Sequence, residues 1–152
     1  VGAPLTGAVI GFGSSFFPVN VTGVTIDLSG SPTDATDMAF SLPRSGALAQ
    51  LSAFFSNVLA VALPTTLMAV HVEVWRSAAP GSNTFVPTGD FVNIVFAGPI
   101  ALPAFLNATA ALATLVNNED RLLLVVSLTA TGAIPENGVE VEGYLSAGLA
   151  IS

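Results

Sequence analysis

The sequence predicts an all-β domain of the sandwich or jelly-roll kind. Several stretches alternate apolar and polar residues, Thr22 to Ser29 and Leu67 to Ser77 most clearly, as half-buried strands do. Clusters of Gly, Pro, Asn, Asp and Ser interrupt them about every 8–14 residues, the spacing of short strands joined by turns. Neither a β-α-β alternation nor a repeat of solenoid period is present, which leaves sheet packed on sheet. The expectation is one domain of about eight to ten strands.

Residues 1–6 (Val1-Gly2-Ala3-Pro4-Leu5-Thr6) read as the end of a linker, and residues 7–152 as a single sandwich domain. A first short strand is expected from Thr6 to Phe12, followed by a turn at Gly13-Ser14-Ser15. From Thr22 to Ser29, Val24, Ile26 and Leu28 share one face, with Thr25, Asp27 and Ser29 on the other. Gly30-Ser31-Pro32 ends that strand, and a loop runs on through Asp34 and Asp37. Met38 to Leu42 is a strand closed by Pro43-Arg44-Ser45-Gly46, whose proline and glycine fit a type I turn.

Ala47 to Leu63 is a long run with Leu51, Phe55, Leu59 and Leu63 on one parity and Leu48, Phe54 and Val58 on the other. Leu48, Leu51, Phe55, Val58 and Ala62 also have helical spacing, but the aromatic and β-branched content favours a strand. In Leu67 to Ser77, Met68, Val70, Val72 and Val74 face one way, and His71, Glu73 and Trp75 the other. After the turn cluster Ala78 to Asn83 come a short extended piece, Thr84 to Pro87, and a strand from Phe91 to Phe96. Gly98 to Pro103 breaks the pattern, and Leu106 to Val116 suits either a strand or a helical turn. A last strand is expected from Val139 to Ser152, after a loop from Gly132 to Gly138.

Arg121 to Thr131 organises the rest. One parity reads Leu122, Leu124, Val126, Leu128, Ala130, and the other Leu123, Val125, Ser127, Thr129, Thr131. The first half is apolar on both faces and the second on one, which predicts a strand buried on both sides at its start. A single sandwich rarely needs that, whereas a subunit packed on copies of itself does.

Composition narrows the function. Charged residues are 9% of the 152, lysine is absent, and ten carboxylates against three arginines give a net charge of −7. A nucleic-acid partner would need a basic footprint, and an anionic membrane surface would repel this chain. The hydrophobic share is 52% and the mean hydropathy +0.77. Even so, the uncharged stretches Ala47 to Val70 and Phe91 to Asn118 carry prolines and amides and lack basic flanks, so no membrane span is expected. Residues 1–20 lack the basic start of a signal peptide. Without cysteine there is no disulfide, thiolate nucleophile or cysteine metal site.

Candidate chemistry is sparse. His71, the single histidine, shares a face with Glu73 and Trp75, but no G-x-S-x-G elbow accompanies it and one His builds no usual zinc site. Asp34 and Asp37, and Asn117, Asn118, Glu119 and Asp120, form oxygen-rich loops without EF-hand spacing, which turn chemistry explains. Glu140, Glu142 and Tyr144 share a face, yet carboxylates two apart on one strand do not flank a glycosidic bond. Asn20-Val21-Thr22 and Asn107-Ala108-Thr109 match the glycosylation sequon, and Gly11 and Gly13 precede no helix that could hold phosphate. No catalytic residue, metal or cofactor is expected, and the chain is read as a non-enzyme.

Six blocks in order carry a family resemblance. They are Gly11-Phe12-Gly13-Ser14-Ser15, Ile26-Asp27-Leu28-Ser29-Gly30, Ala39-Phe40-Ser41-Leu42-Pro43-Arg44-Ser45-Gly46 and Leu51-Ser52-Ala53-Phe54-Phe55-Ser56. Arg121-Leu122-Leu123-Leu124-Val125 with Thr129-Ala130-Thr131-Gly132, and Gly143-Tyr144-Leu145-Ser146-Ala147-Gly148, complete the set. From about Gly7 onward the chain resembles the C-terminal domain of BclB-type exosporium glycoproteins, collagen-like surface proteins of spore-forming bacteria. The resemblance implies a jelly roll like the heads of tumour necrosis factor and C1q, forming a homotrimer on the spore surface at the end of a collagen-like stalk. Other spore surface proteins are then possible partners. Val1-Gly2-Ala3-Pro4 shows no Gly-X-Y period, so the stalk is implied and not seen. An assembly module would place Leu122, Leu124, Val126, Leu128, Leu145, Leu149 and Ile151 in the core or at the subunit interface. A lectin-like or receptor-binding fibre tip is the alternative, with His71, Trp75 and Tyr144 as its contacts.

Overall fold

In the computed structural model, which describes residues 6–11, 14–20, 24–29, 38–58, 67–79, 81–97, 99–131 and 141–152, the alternating segments form strands. In chain order these are β1 (Thr6–Gly11), β2 (Ser14–Asn20), β3 (Ile26–Asp27), β4 (Phe40–Ser41), β5 (Gly46–Asn57) and β6 (Leu67–Ser77). There follow β7 (Thr84–Ala97), β8 (Ala104–Ala111), β9 (Leu115–Val116), β10 (Arg121–Thr131) and β11 (Gly143–Ile151). Among the described residues, no helix is long and apolar enough to cross a membrane. The Asp34 and Asp37 loop, Leu59, Leu63, Gly132 to Gly138 and Glu140 lie outside the described residues.

Two antiparallel sheets form a β-sandwich. The large sheet runs β2-β1-β10-β6-β7-β3, with β4 also on β10; the small one runs β11-β5-β8, with β9 on β5. From β4 onward the chain changes sheets at every connection except the β6–β7 and β8–β9 links. The inward faces meet in one core: Leu51, Ala53 and Phe55 of β5 oppose Met68, Val70, Val72 and Val74 of β6 and Val92, Ile94 and Phe96 of β7. A continuous apolar core of this kind is the main favourable contribution to folding.

Several strands differ from their sequence expectation for definable reasons. Leu48 and Leu51 have opposite parity, yet both are fully buried. Ala150 pairs with Gln50 and Ile151 with Leu48, so Ala49 is an extra residue. One extra residue reverses which parity faces inward. The segments Thr84 to Pro87 and Phe91 to Phe96 are one strand, with a bulge where Pro87 pairs with Trp75 and Phe91 with Glu73. Gly89 turns there at φ 83°, a left-handed conformation that glycine adopts without strain. Thr88 Oγ1 donates to the Val74 carbonyl at 2.7 Å and accepts from the Asp90 amide at 3.1 Å, so the bulge leaves these groups bonded. Of the strand expected over Thr22 to Ser29, the described residues 24–29 form strand at Ile26–Asp27, and Val24, assigned to its inner face, is 72% exposed. Residues 14 and 15, expected in a turn, begin β2.

β10 is buried on both sides at its start, but by its own chain. Leu122 joins the core between the sheets. Leu123 and Val125 point to the opposite face, where they form a second core with Ile26, Leu28, Trp75 and Phe85, flanked by Met38 and Ala39. The segments around β3 and before β4 form a cap over this face, so the chain's own residues cover it. Arg121 donates to Ser82 O at 3.0 Å and Asn83 Oδ1 at 2.6 Å in the turn before β7, with its guanidinium 5.5 Å from the Phe85 ring centre, and the Asn83 carbonyl accepts from the Leu28 amide of the cap at 2.9 Å.

Removing the Phe85 ring should empty this second core. Phe85→Ala is expected to cost about 3–5 kcal/mol of unfolding free energy, as large-to-small core changes do, measured by denaturant titration. A loss under about 1 kcal/mol would show that the cap contributes little to the fold.

Candidate functional site

The cap covers only one end of the large sheet's outer face. Beyond it the rows across β10, β6 and β7 read Val125–Glu73–Phe91, Ser127–His71–Asn93 and Thr129–Ala69–Val95. Alternation along β6 and β7 turns these side chains outward, because Val70, Val72, Val92 and Ile94 face the core. His71 sits at the centre. Its Nδ1 lies 2.7 Å from Asn93 Oδ1 and its Nε2 3.7 Å from Glu73 Oε2, and the Phe91 ring centre is 4.7 Å away. Glu73 Oε2 also accepts from Trp75 Nε1 at 3.0 Å.

These contacts set the protonation of His71. Glu73, and after it Asn93, raise the imidazole pKa above its ordinary value of 6.5, against the opposing effect of partial burial. With oxygens at both ring nitrogens, the doubly protonated imidazolium is the form best satisfied. Nδ1 is thereby engaged by Asn93, and Nε2 lies within ion-pair reach of Glu73 when the ring is protonated.

The expected contact residues do not form one site. Trp75 is 6% exposed and packs under the cap, so it braces Glu73 and offers little surface. Tyr144 is 75% exposed on the outer face of the other sheet, in the row Tyr144–Ser56–Phe105. There Phe54 and Phe105 stack with ring centres 6.2 Å apart, beside a hydroxyl pair, Ser52 and Thr109, at 2.8 Å. Of the residues expected in the core or at an interface, Leu122 is buried in the main core, and Leu124, Val126, Leu128, Leu145, Leu149 and Ile151 are half-buried against it.

The loop at 117–120 is explained by its own bonds. Asp120 is buried, pairs with Arg76 Nε at 2.8 Å and accepts from the Asn117 amide at 2.7 Å. Among the described residues, no group of three or more His, Cys, Asp or Glu side chains is placed to hold a metal ion. Asn107 is exposed on β8, while residues 21 and 22 of the other sequon lie outside the described residues. Asn93 and Phe91 went unnoticed in the sequence, although Phe91 to Phe96, like β10, is apolar on both parities. No known protein family, curated protein or solved structure matches the chain.

The raised pKa of His71 has a sign. Folding favours the protonated form, so its stabilisation is complete below about pH 6.5 and is lost as pH rises through the folded-state value. The melting temperature of wild type should exceed that of His71→Gln most at about pH 6, and the gap should narrow by about pH 8. A gap that widens with pH would contradict the geometry.

Proposed function

We propose that this chain is a structural, non-catalytic head that forms a homotrimer, as its resemblance to exosporium heads implies. The observation that carries the reading is the uncovered end of the large sheet's outer face. Leu67, Phe91 and Val95 remain 47%, 43% and 54% exposed there, around His71 and Glu73, the titratable groups of rows 71 and 73 among the described residues. Interface centres are depleted of charge and enriched in aromatic and apolar surface. A chain of net charge −7 repels its copies over most of its surface, so this charge-poor area is where a copy can approach. The contact surface proposed is therefore this outer face. The inward leucines of β10 and β11 support it from behind.

Strands that change sheets at successive connections support the jelly-roll form of sandwich. The scarcity of titratable groups on this face, His71 and Glu73 among the described residues, supports a non-catalytic role. A place on the spore surface, with other surface proteins as possible neighbours, rests on the resemblance alone. The lectin-like alternative draws on a different face: Phe54, Phe105 and Tyr144 form an exposed aromatic row beside Ser52, Asn107 and Thr109. Aromatic faces with hydroxyl and amide neighbours suit neutral glycans, and saturable binding on a glycan array, lost in Tyr144→Ala, would favour that reading.

Light scattering should give a mass near three times 15.3 kDa. Val95→Glu, on the outer face, should yield a folded species of lower mass, and a wild-type mass of 15.3 kDa would overturn the trimer.

A further inference from the structure

At the edge where β4 and β11 approach each other, the two sheets leave a cleft of about 300 Å³, lined by Phe40, Leu42, Pro43, Arg44, Leu149 and Ile151. Its walls are apolar: Leu42 is 2% exposed, and Phe40, Leu149 and Ile151 are half-buried against the main core. Arg44 stands at its mouth, where Nη2 donates to the Ile151 carbonyl at 3.2 Å.

The three arginines are used differently. Arg76 is paired with Asp120, and Arg121 is bonded to Ser82 and Asn83 under Phe85. Arg44 is exposed and makes no ion pair among the described residues, in a chain with ten carboxylates. Glu119 bonds the neighbouring Leu42 carbonyl through its backbone amide, yet its carboxylate does not pair with Arg44. Of the five N–H donors on a guanidinium, one is committed to Ile151. The others form a planar fork that suits a carboxylate.

We propose that this cleft binds a short aliphatic carboxylate, with its tail among Phe40, Leu42, Leu149 and Ile151 and its head on Arg44. The volume is at the lower end for ligand pockets, which suits a chain of roughly six to eight carbons. Charge complementarity selects an acid over an alcohol or an amine. The net charge of −7 opposes an anion only weakly at this distance scale, because physiological salt screens exposed charges beyond about 8 Å. The hollow on the small sheet's outer face is a poorer candidate, since the Ser52 and Thr109 hydroxyls bond each other.

Calorimetric titration of the whole chain with octanoate, octanol and octylamine tests this. Octanoate should bind saturably, with octanol and octylamine each roughly tenfold weaker or more, the scale of a lost charge-assisted hydrogen bond. Arg44→Gln should lose roughly the same factor with an unchanged melting temperature, and Arg44→Lys, which keeps the charge and loses the planar fork, should fall between wild type and Arg44→Gln. Failure of octanoate to bind, equal binding of octanol, undiminished binding by Arg44→Gln, or a fall of Arg44→Lys to the level of Arg44→Gln would each overturn the proposal.

Discussion

The rest of the structure depends on the need to cover both faces of β10 at its start. Leu122 faces the core between the sheets, while Leu123 and Val125 face away from it. Leaving two such side chains in water would forgo roughly 1.5–3 kcal/mol each, a large part of the net stability of a small domain. The chain meets this need locally. Ile26, Leu28 and Phe85 close over the outward pair, and at the margin Arg121 holds Asn83, whose carbonyl accepts from the Leu28 amide. Asp120, held by Arg76 and by the Asn117 amide, sets where the strand begins. β1 and β4 then pair with successive stretches of the same edge, at Leu124 to Val126 and at Arg121 and Leu122.

The cap's limited reach has a functional consequence. It protects the Leu123 end and stops near Glu73, and beyond it the outer face changes to His71, Asn93, Ser127 and Thr129 among exposed Phe91, Val95 and Leu67. Glu73 stands at the boundary, accepting from the capped Trp75 and lying beside the uncapped His71. Asn93 bonds His71 Nδ1, and the Thr129 hydroxyl reaches the Ala69 carbonyl at 3.4 Å.

The sequence made the strands legible where a single pattern ran uninterrupted. Leu67–Ser77 and Arg121–Thr131 are strands over the residues that alternation marked. It was misleading where geometry changes within a strand. Ala49 reverses parity in β5, and the bulge at Gly89 splits the pattern of β7. β2 was hidden because Ser14 and Ser15 read as a turn and Pro18 interrupts the run; Pro is tolerated there because β2 is an edge of its sheet. The candidate site was legible only in part. His71, Glu73 and Trp75 share a strand face by period alone, but Asn93 comes to His71 through cross-strand register, which one sequence does not encode locally. Periodicity also placed Leu124 and Leu149 on apolar faces without telling a core from an interface. Those faces proved to be packed within the chain.

Native-state hydrogen exchange across a dilution series tests the central claim most directly, namely that β10 is sealed by its own chain. If the cap does this, the amides from Leu122 to Val125 are among the slowest to exchange, and their protection is the same at every protein concentration. Protection that collapses on dilution, while the amides of β5 remain slow, would mean that neighbouring copies cover β10 and would contradict the account.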